Sequence, residues 1–211
     1  MSVWWVLAYS GLGAAFGAAV NPVTRGQLPV NAPGWARSPL VALAITGVLF
    51  AVVATGFGHR WELVPYGVLA VVSVPLAITD IIEQRLSSAL VLPLGITLLA
   101  LFAVLAVARA DGASFLRAVL AMAALAGFHL VLALLLGGLG AGDVKLSAAL
   151  GIVTGWLGWP AVIGMLLLAY VTASLAVLFD RLRHKAERLE VIPLGPYLIF
   201  STFVTIVTLG A

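Results

Sequence analysis

The chain contains no cysteine, which excludes disulfides, thiolate metal sites and a cysteine nucleophile. Histidine is almost as scarce: His59, His129 and His184 stand far apart, which argues against a histidine metal cluster. Charge is the third shortage. Only 9% of the 211 residues are charged while 63% are hydrophobic, a balance far more apolar than that of a soluble domain. In place of what is missing stands a series of apolar runs of about 20 residues, the length a helix needs to cross a bilayer. The chain therefore reads as an all-α, polytopic membrane bundle of about eight transmembrane helices, one domain over residues 1–211. A pI near 9.7 could point to nucleic acid, but the basic residues are few and lie between spans. Membrane orientation accounts for them without a nucleic-acid partner.

Spans are expected at about 3–20, 40–57, 63–79, 88–108, 113–136, 143–155, 161–179 and 192–209. The first lacks a positively charged leading segment and is read as a retained helix rather than a signal peptide. The connection from Asn21 to Ser38 is rich in proline and asparagine and reads as a loop. Trp156, Trp159 and Pro160 suit a membrane interface. With the amino terminus outside, the inside loops hold Arg25, Arg37, Arg85, Lys145, Arg181, Arg183, Lys185 and Arg188, and the outside loops Arg60, Arg109 and Arg117. Eight against three follows the positive-inside tendency. The same parse brings Asp80 and Asp143 to the cytoplasmic ends of helices, although neither helped to set it.

The most unusual stretch is Gly138-Leu139-Gly140-Ala141-Gly142-Asp143-Val144-Lys145-Leu146, which breaks an apolar region. Ionisable residues at the edge of hydrocarbon are costly and mark functional positions. A local explanation exists: Asp143 caps the next helix and Lys145 snorkels to the headgroups, or the two pair with each other as Asp80 does with Arg85. The second acid, placed in the same way, tips the balance towards chemistry. Two carboxylates in a partly desolvated site cannot both ionise cheaply and can hold one proton between them. The charged member takes a proton from water and the protonated member donates to a carbonyl oxygen. Such a pair hydrolyses peptides without metal or cofactor, and Gly140 and Gly142 would let an extended substrate backbone approach Asp143.

Other polar residues have plainer readings. Glu83, three residues beyond Asp80, is a rival for the first acid, but Gln84 and Arg85 beside it suggest a solvated, paired residue. His129 lies about 12 Å along its helix from the glycine-rich loop and reads as a buried histidine bonded to another span. Asp180, Glu187 and Glu190 are counter-charges for the basic run Arg181, Arg183, His184, Lys185 and Arg188.

The segment Gly140-Ala141-Gly142-Asp143-Val144-Lys145-Leu146-Ser147-Ala148-Ala149-Leu150-Gly151 resembles the Gly-x-Gly-Asp-Val-Lys-Leu segment of the type IV prepilin peptidases. These are membrane aspartic proteases that remove the basic leader from prepilins. Gly155-Trp156-Leu157-Gly158-Trp159 is also similar, and Ile192-Pro193-Leu194-Gly195-Pro196-Tyr197 resembles the Pro-Phe-Gly-Pro stretch that opens the family's last helix. The family's first catalytic Asp stands at a span end before basic residues and Leu-Pro; here that maps to Asp80, with Arg85-Leu86 matching and Ser87 in place of proline. Asn21-Pro22-Val23-Thr24-Arg25 is similar to the family's Asn and Arg after the first helix. The resemblance implies catalytic Asp80 and Asp143, with Gly140, Gly142, Lys145, Pro193, Gly195 and Pro196 supporting or binding substrate.

It further implies a prepilin or pseudopilin helix as substrate, in the cell membrane, with the active site facing the cytoplasm. Larger family members insert a cysteine-bearing zinc domain after the first helix, and some methylate the new amino terminus. Here that connection is about eighteen residues without cysteine, so cleavage without methylation is expected. The compact build is similar to the peptidases of tight-adherence (Tad) pilus systems and to short Gram-positive forms. Presenilin-like proteases share Gly-x-Gly-Asp but carry Tyr-Asp at the first acid, where this chain has Thr79-Asp80. Two other function classes remain at this stage: a proton-coupled carrier using the same acids, and an inactive scaffold for pilus assembly. Broken helices at the membrane midplane would favour the carrier, but both acids map to one cytoplasmic face. Oligomeric state is not legible.

Overall fold

The computed structural model of the chain describes residues 3–58, 60–136, 139–184 and 193–210, the side chains of 136, 183 and 184 excepted. Among the described residues eight α-helices follow one another: α1 (Val3–Gln27), α2 (Pro39–Phe57), α3 (Leu63–Glu83), α4 (Ser88–Arg109), α5 (Gly112–Leu136), α6 (Ala141–Leu157), α7 (Trp159–His184) and α8 (Gly195–Leu209). A single 3₁₀ turn, Gly34–Arg37, lies between α1 and α2. Helices are the expected outcome, since backbone polar groups in hydrocarbon must be satisfied within the segment itself. Six of them (α1 to α5 and α7) are long and apolar enough to cross a membrane. The expected eight spans are thus eight helices of unequal reach. With 17 and 15 residues, α6 and α8 extend only about 25 Å and 23 Å.

Punctuation follows the sequence. Pro39 occupies the first turn of α2, where its missing N–H is no loss. Gly58, at φ 60°, ends α2 in a conformation that side chains resist. The expected loop from residue 21 is in part helix: α1 runs through Pro22 to Gln27. Proline deletes one intrahelical bond and bends a helix without ending it where neighbours compensate. Here they do. Asn21 is buried and reaches the Ser38 carbonyl at 3.5 Å, and Arg25 Nε donates to the Arg37 carbonyl at 2.8 Å. Arg37 in turn donates to the Pro29 carbonyl.

Two tight crossings use glycines four residues apart. Gly13 and Gly17 of α1 press on Phe50, Thr46 and the Ala42 carbonyl of α2. Gly151 and Gly155 of α6 lie against α5, where an added Cβ would stand 2.8 Å from the Ala121 carbonyl oxygen and 2.5 Å from Ala121 Cβ. Small residues at this spacing let backbones approach where lipid offers no hydrophobic drive. Between these pairs stands α3, whose Tyr66, Leu69 and Leu76 are fully buried beside Leu98 and Phe102 of α4 and Leu198 of α8. Both α4 and α8 pack on α3 and on α6.

The three basic residues expected outside are all bonded at one end of the bundle. Arg109 pairs with buried Glu62. Arg117 donates to the Gly155 and Trp156 carbonyls, and Arg60 to the Gly210 carbonyl. Cations at helix carboxyl ends satisfy orphan carbonyls and the helix dipole. Asp80 and Asp143 lie at the opposite ends of α3 and α6. Of the remaining expectations, those for His59, Lys185, Glu187, Arg188, Glu190 and Ile192, and for the side chains of Arg183 and His184, lie outside the described residues.

Candidate active site

Asp80 sits in the last turn of α3, which continues to Glu83 rather than stopping at residue 79. The Gln84 N–H closes that turn on the Asp80 carbonyl at 2.9 Å, and Gln84 itself adopts φ 51°, turning the chain sharply towards α4. A non-glycine residue in that region is a local strain that the surroundings must hold. The carboxylate of Asp80 is buried, with 4% exposure for the residue. Its Oδ2 accepts the Gly195 N–H at 3.0 Å, at the first turn of α8. Asp143 occupies the third position of α6, not the cap itself, which is Gly140. Its Oδ2 reaches back to accept the Gly140 N–H, also at 3.0 Å.

The two acids are therefore held alike, each by one glycine N–H at a helix amino terminus, where the dipole favours an anion. The other oxygen of each carboxylate makes no hydrogen bond among the described residues. Both acids line one cavity of about 290 Å³, together with Gln84, Leu139, Gly140, Tyr170, Ala173, Ser174, Val177, Pro193 and Leu194. Among the described residues no group of three or more His, Cys, Asp or Glu could hold a metal ion. Two carboxylates lining one cavity can do general acid and general base chemistry on one bond.

The remaining expected site residues divide by role. Gly140 and Pro193 line the cavity, and Gly195 donates to Asp80. Pro196 starts α8 in a first-turn position, where its missing N–H costs nothing. Gly142 does not leave room for a substrate: a Cβ there would stand 2.6 Å from Leu86 Cβ and 2.9 Å from the Leu86 carbonyl oxygen. Its smallness serves packing of the α3–α4 connection onto α6. Lys145 does not pair with Asp143; its Nζ donates to Ser88 Oγ at 2.8 Å and ties α6 to the start of α4. The alternative pairing of Asp80 with Arg85 also fails, since the one ion pair among the described residues is Arg109–Glu62.

Glu83 is exposed and does not line the cavity, whereas Asp80 does. His129 is buried as expected, but its Nδ1–H donates to the Leu125 carbonyl of its own helix at 3.0 Å rather than to another span. Sequence reasoning did not foresee the α7 wall. Tyr170, Ala173, Ser174 and Val177 recur at helical spacing and form one stripe, a signal present in the sequence but indistinct among apolar neighbours.

The sequence profile described as the type IV leader peptidase family matches residues 66–178, which include both acids. A prepilin leader peptidase/N-methyltransferase of Pseudomonas aeruginosa is 38% identical over 182 residues, covering 81% of this chain and 58% of that protein. A protein of the same description from Stutzerimonas stutzeri is 36% identical over 177 residues, covering 81% and 58%. Another, from Aeromonas hydrophila, is 34% identical over 182 residues, covering 83% and 60%. The chain thus spans about three fifths of the length of these relatives. No solved structure matches it.

Proposed function

Because the chain belongs to the type IV leader peptidase family, we propose that it is a prepilin leader peptidase in which Asp80 and Asp143 are the catalytic acids. The observation that carries this reading is the shared cavity, with both carboxylates held by glycine N–H groups and one oxygen of each left for substrate and water. One acid, ionised, takes a proton from water as the water oxygen attacks the scissile carbonyl carbon. The other, protonated, donates to the carbonyl oxygen. Collapse of the tetrahedral adduct breaks the C–N bond: the amine leaves with the proton first taken from water, and an adduct hydroxyl returns its proton to the second acid, so both acids end as they began.

The substrate is the basic leader and apolar helix of a prepilin or pseudopilin, Tad-type pilins included, with cleavage at the cytoplasmic face of the plasma membrane. The charge distribution along the chain supports that orientation: eight basic residues fall in connections on the side of the acids, against Arg60, Arg109 and Arg117 at the other end. Cleavage proceeds without methyl transfer, because the α1–α2 connection lacks the cysteine-bearing insertion. Both acids standing at one end of the bundle speaks against a proton carrier, whose sites lie near the membrane midplane.

The test is co-expression with prepilin-like substrates of each class, with leader loss read on a gel. Asp80→Asn and Asp143→Asn should each abolish processing, and the double variant should be no worse than either, since residues acting as a unit are not additive. Asn keeps the shape, so membrane insertion should survive. Glu83→Gln should retain most activity. Normal processing by well-expressed Asp143→Asn would overturn the catalytic assignment, and an inactive parent would leave the scaffold reading in its place.

A further inference from the structure

The α7 wall of the cavity carries a hydroxyl that the two acids do not use. Tyr170 O–H is shut off from solvent and makes no hydrogen bond among the described residues, although its ring lines the cavity that holds Asp80 and Asp143. Buried hydroxyls are nearly always paired, so an unpaired one beside a working cavity asks for a partner that arrives. The ring stacks on His129 at 6.1 Å between centroids and 21° between planes, and meets Phe128 edge-on at 6.1 Å and 89°, so a small turn about its Cα–Cβ bond brings the hydroxyl to the cavity without losing either neighbour. His129 in turn is anchored by its bond to the Leu125 carbonyl.

Donors and acceptors in the cavity are unevenly supplied. The two carboxylates offer acceptors for the N–H groups of a bound peptide. The nearby glycine N–H groups, however, are already taken by those carboxylates. Ser174, one turn along α7, is exposed at the cavity wall, which leaves Tyr170 as its buried hydroxyl donor. Ala173 and Ser174 beside it are small enough for a peptide main chain to pass.

We propose that Tyr170 is a substrate-binding residue: its hydroxyl donates to a main-chain carbonyl of the segment next to the scissile bond and holds that segment in register before the acids. His129 and Phe128 are positioning residues for the ring. The contact reads backbone rather than side chains, so the ligand class is an extended peptide of any local sequence. This inference rests on the peptidase reading above.

The experiment uses the full chain in detergent with a synthetic peptide carrying a leader and the apolar segment after it. Cleavage by the parent and its loss in Asp143→Asn establish the reaction. Tyr170→Phe keeps the ring and removes only the hydroxyl. We expect its KM to rise about tenfold with kcat within threefold of the parent, the size and pattern of one lost uniform-binding hydrogen bond. Its thermal unfolding should stay at or above that of the parent, because an unpaired buried hydroxyl has been removed. A structural hydroxyl would show the reverse, lower stability. An unchanged KM in Tyr170→Phe beside an active parent sinks the Tyr170 role alone, as does a raised KM matched by a drop in thermal stability. A parent that cleaves nothing sinks the peptidase reading and this role with it.

Discussion

Replacing Gly195 by alanine should separate catalysis from folding in this protein. An added Cβ at Gly195 would stand 2.6 Å from Asp80 Oδ2, where ordinary contact begins at 3.4 Å, a shortfall of 0.8 Å. Leu86 Cδ2, at 3.3 Å, hinders a compensating shift in the other direction. The backbone at Gly195 has no positive φ, so alanine itself is not strained there. The yielding part is the end of the Asp80 side chain, which must rotate and stretch or lose its bond to the Gly195 N–H. A hydrogen bond to a charged group contributes roughly 1.5–3 kcal/mol, an upper bound on what the rotation costs. Catalysis is less forgiving: displacing a reacting group by about 1 Å can cost about 100-fold.

Gly195→Ala should therefore insert and purify like the parent while leader removal falls about 100-fold, read as initial rates on a synthetic leader peptide. Gly142→Ala is the contrast. Its Cβ meets the Leu86 backbone, which cannot rotate aside, so overpacking of about 1–3 kcal/mol should lower thermal stability as well as activity. Parental cleavage rates in Gly195→Ala would refute the claim that the Gly195 contact sets the position of Asp80. Equal losses of stability in the two variants would refute the distinction between a positioned acid and a packed connection.

Lys145→Ala and Ser88→Ala remove the two halves of one bond between α6 and α4, so each should slow cleavage severalfold and the double variant no further, measured as a double-mutant cycle. A tag near Arg37 should report the cytoplasm and one near Asp111 the outside; the same side for both would overturn the orientation and the cytoplasmic placement of the acids. Mass spectrometry of the mature substrate should find an unmethylated first residue, and methylation dependent on this protein alone would refute the expectation.

Much was legible before folding. The apolar runs of about 20 residues specified helices because a single segment in lipid satisfies its backbone internally only as a helix, and the glycine-rich loop marked where one stops and the next starts. The pair Asp80 and Asp143 was visible too, since charge at the edge of a hydrophobic run is rare enough to be conspicuous. Reach was less legible than identity: α3 carries on for a turn past residue 79, and α1 passes through Pro22, because tertiary bonds from Asn21 and Arg25 outweigh a local break.

What only the tertiary structure decided is which face of each helix meets which neighbour. In a soluble helix the polar stripe betrays the outer face, but here both faces are apolar and periodicity carries little contrast. The α7 stripe holding Tyr170 and Ser174 was therefore hidden among residues of the same character. Long-range partners were hidden for the same reason. Gly195 donates to Asp80 across 115 residues of chain, Lys145 turns to Ser88 rather than to the adjacent Asp143, and Gly142 packs on Leu86 instead of facing the cavity. Local sequence specified each group's chemistry. The packing of α4 and α8 against both α3 and α6 decided that the two acids would share one cavity.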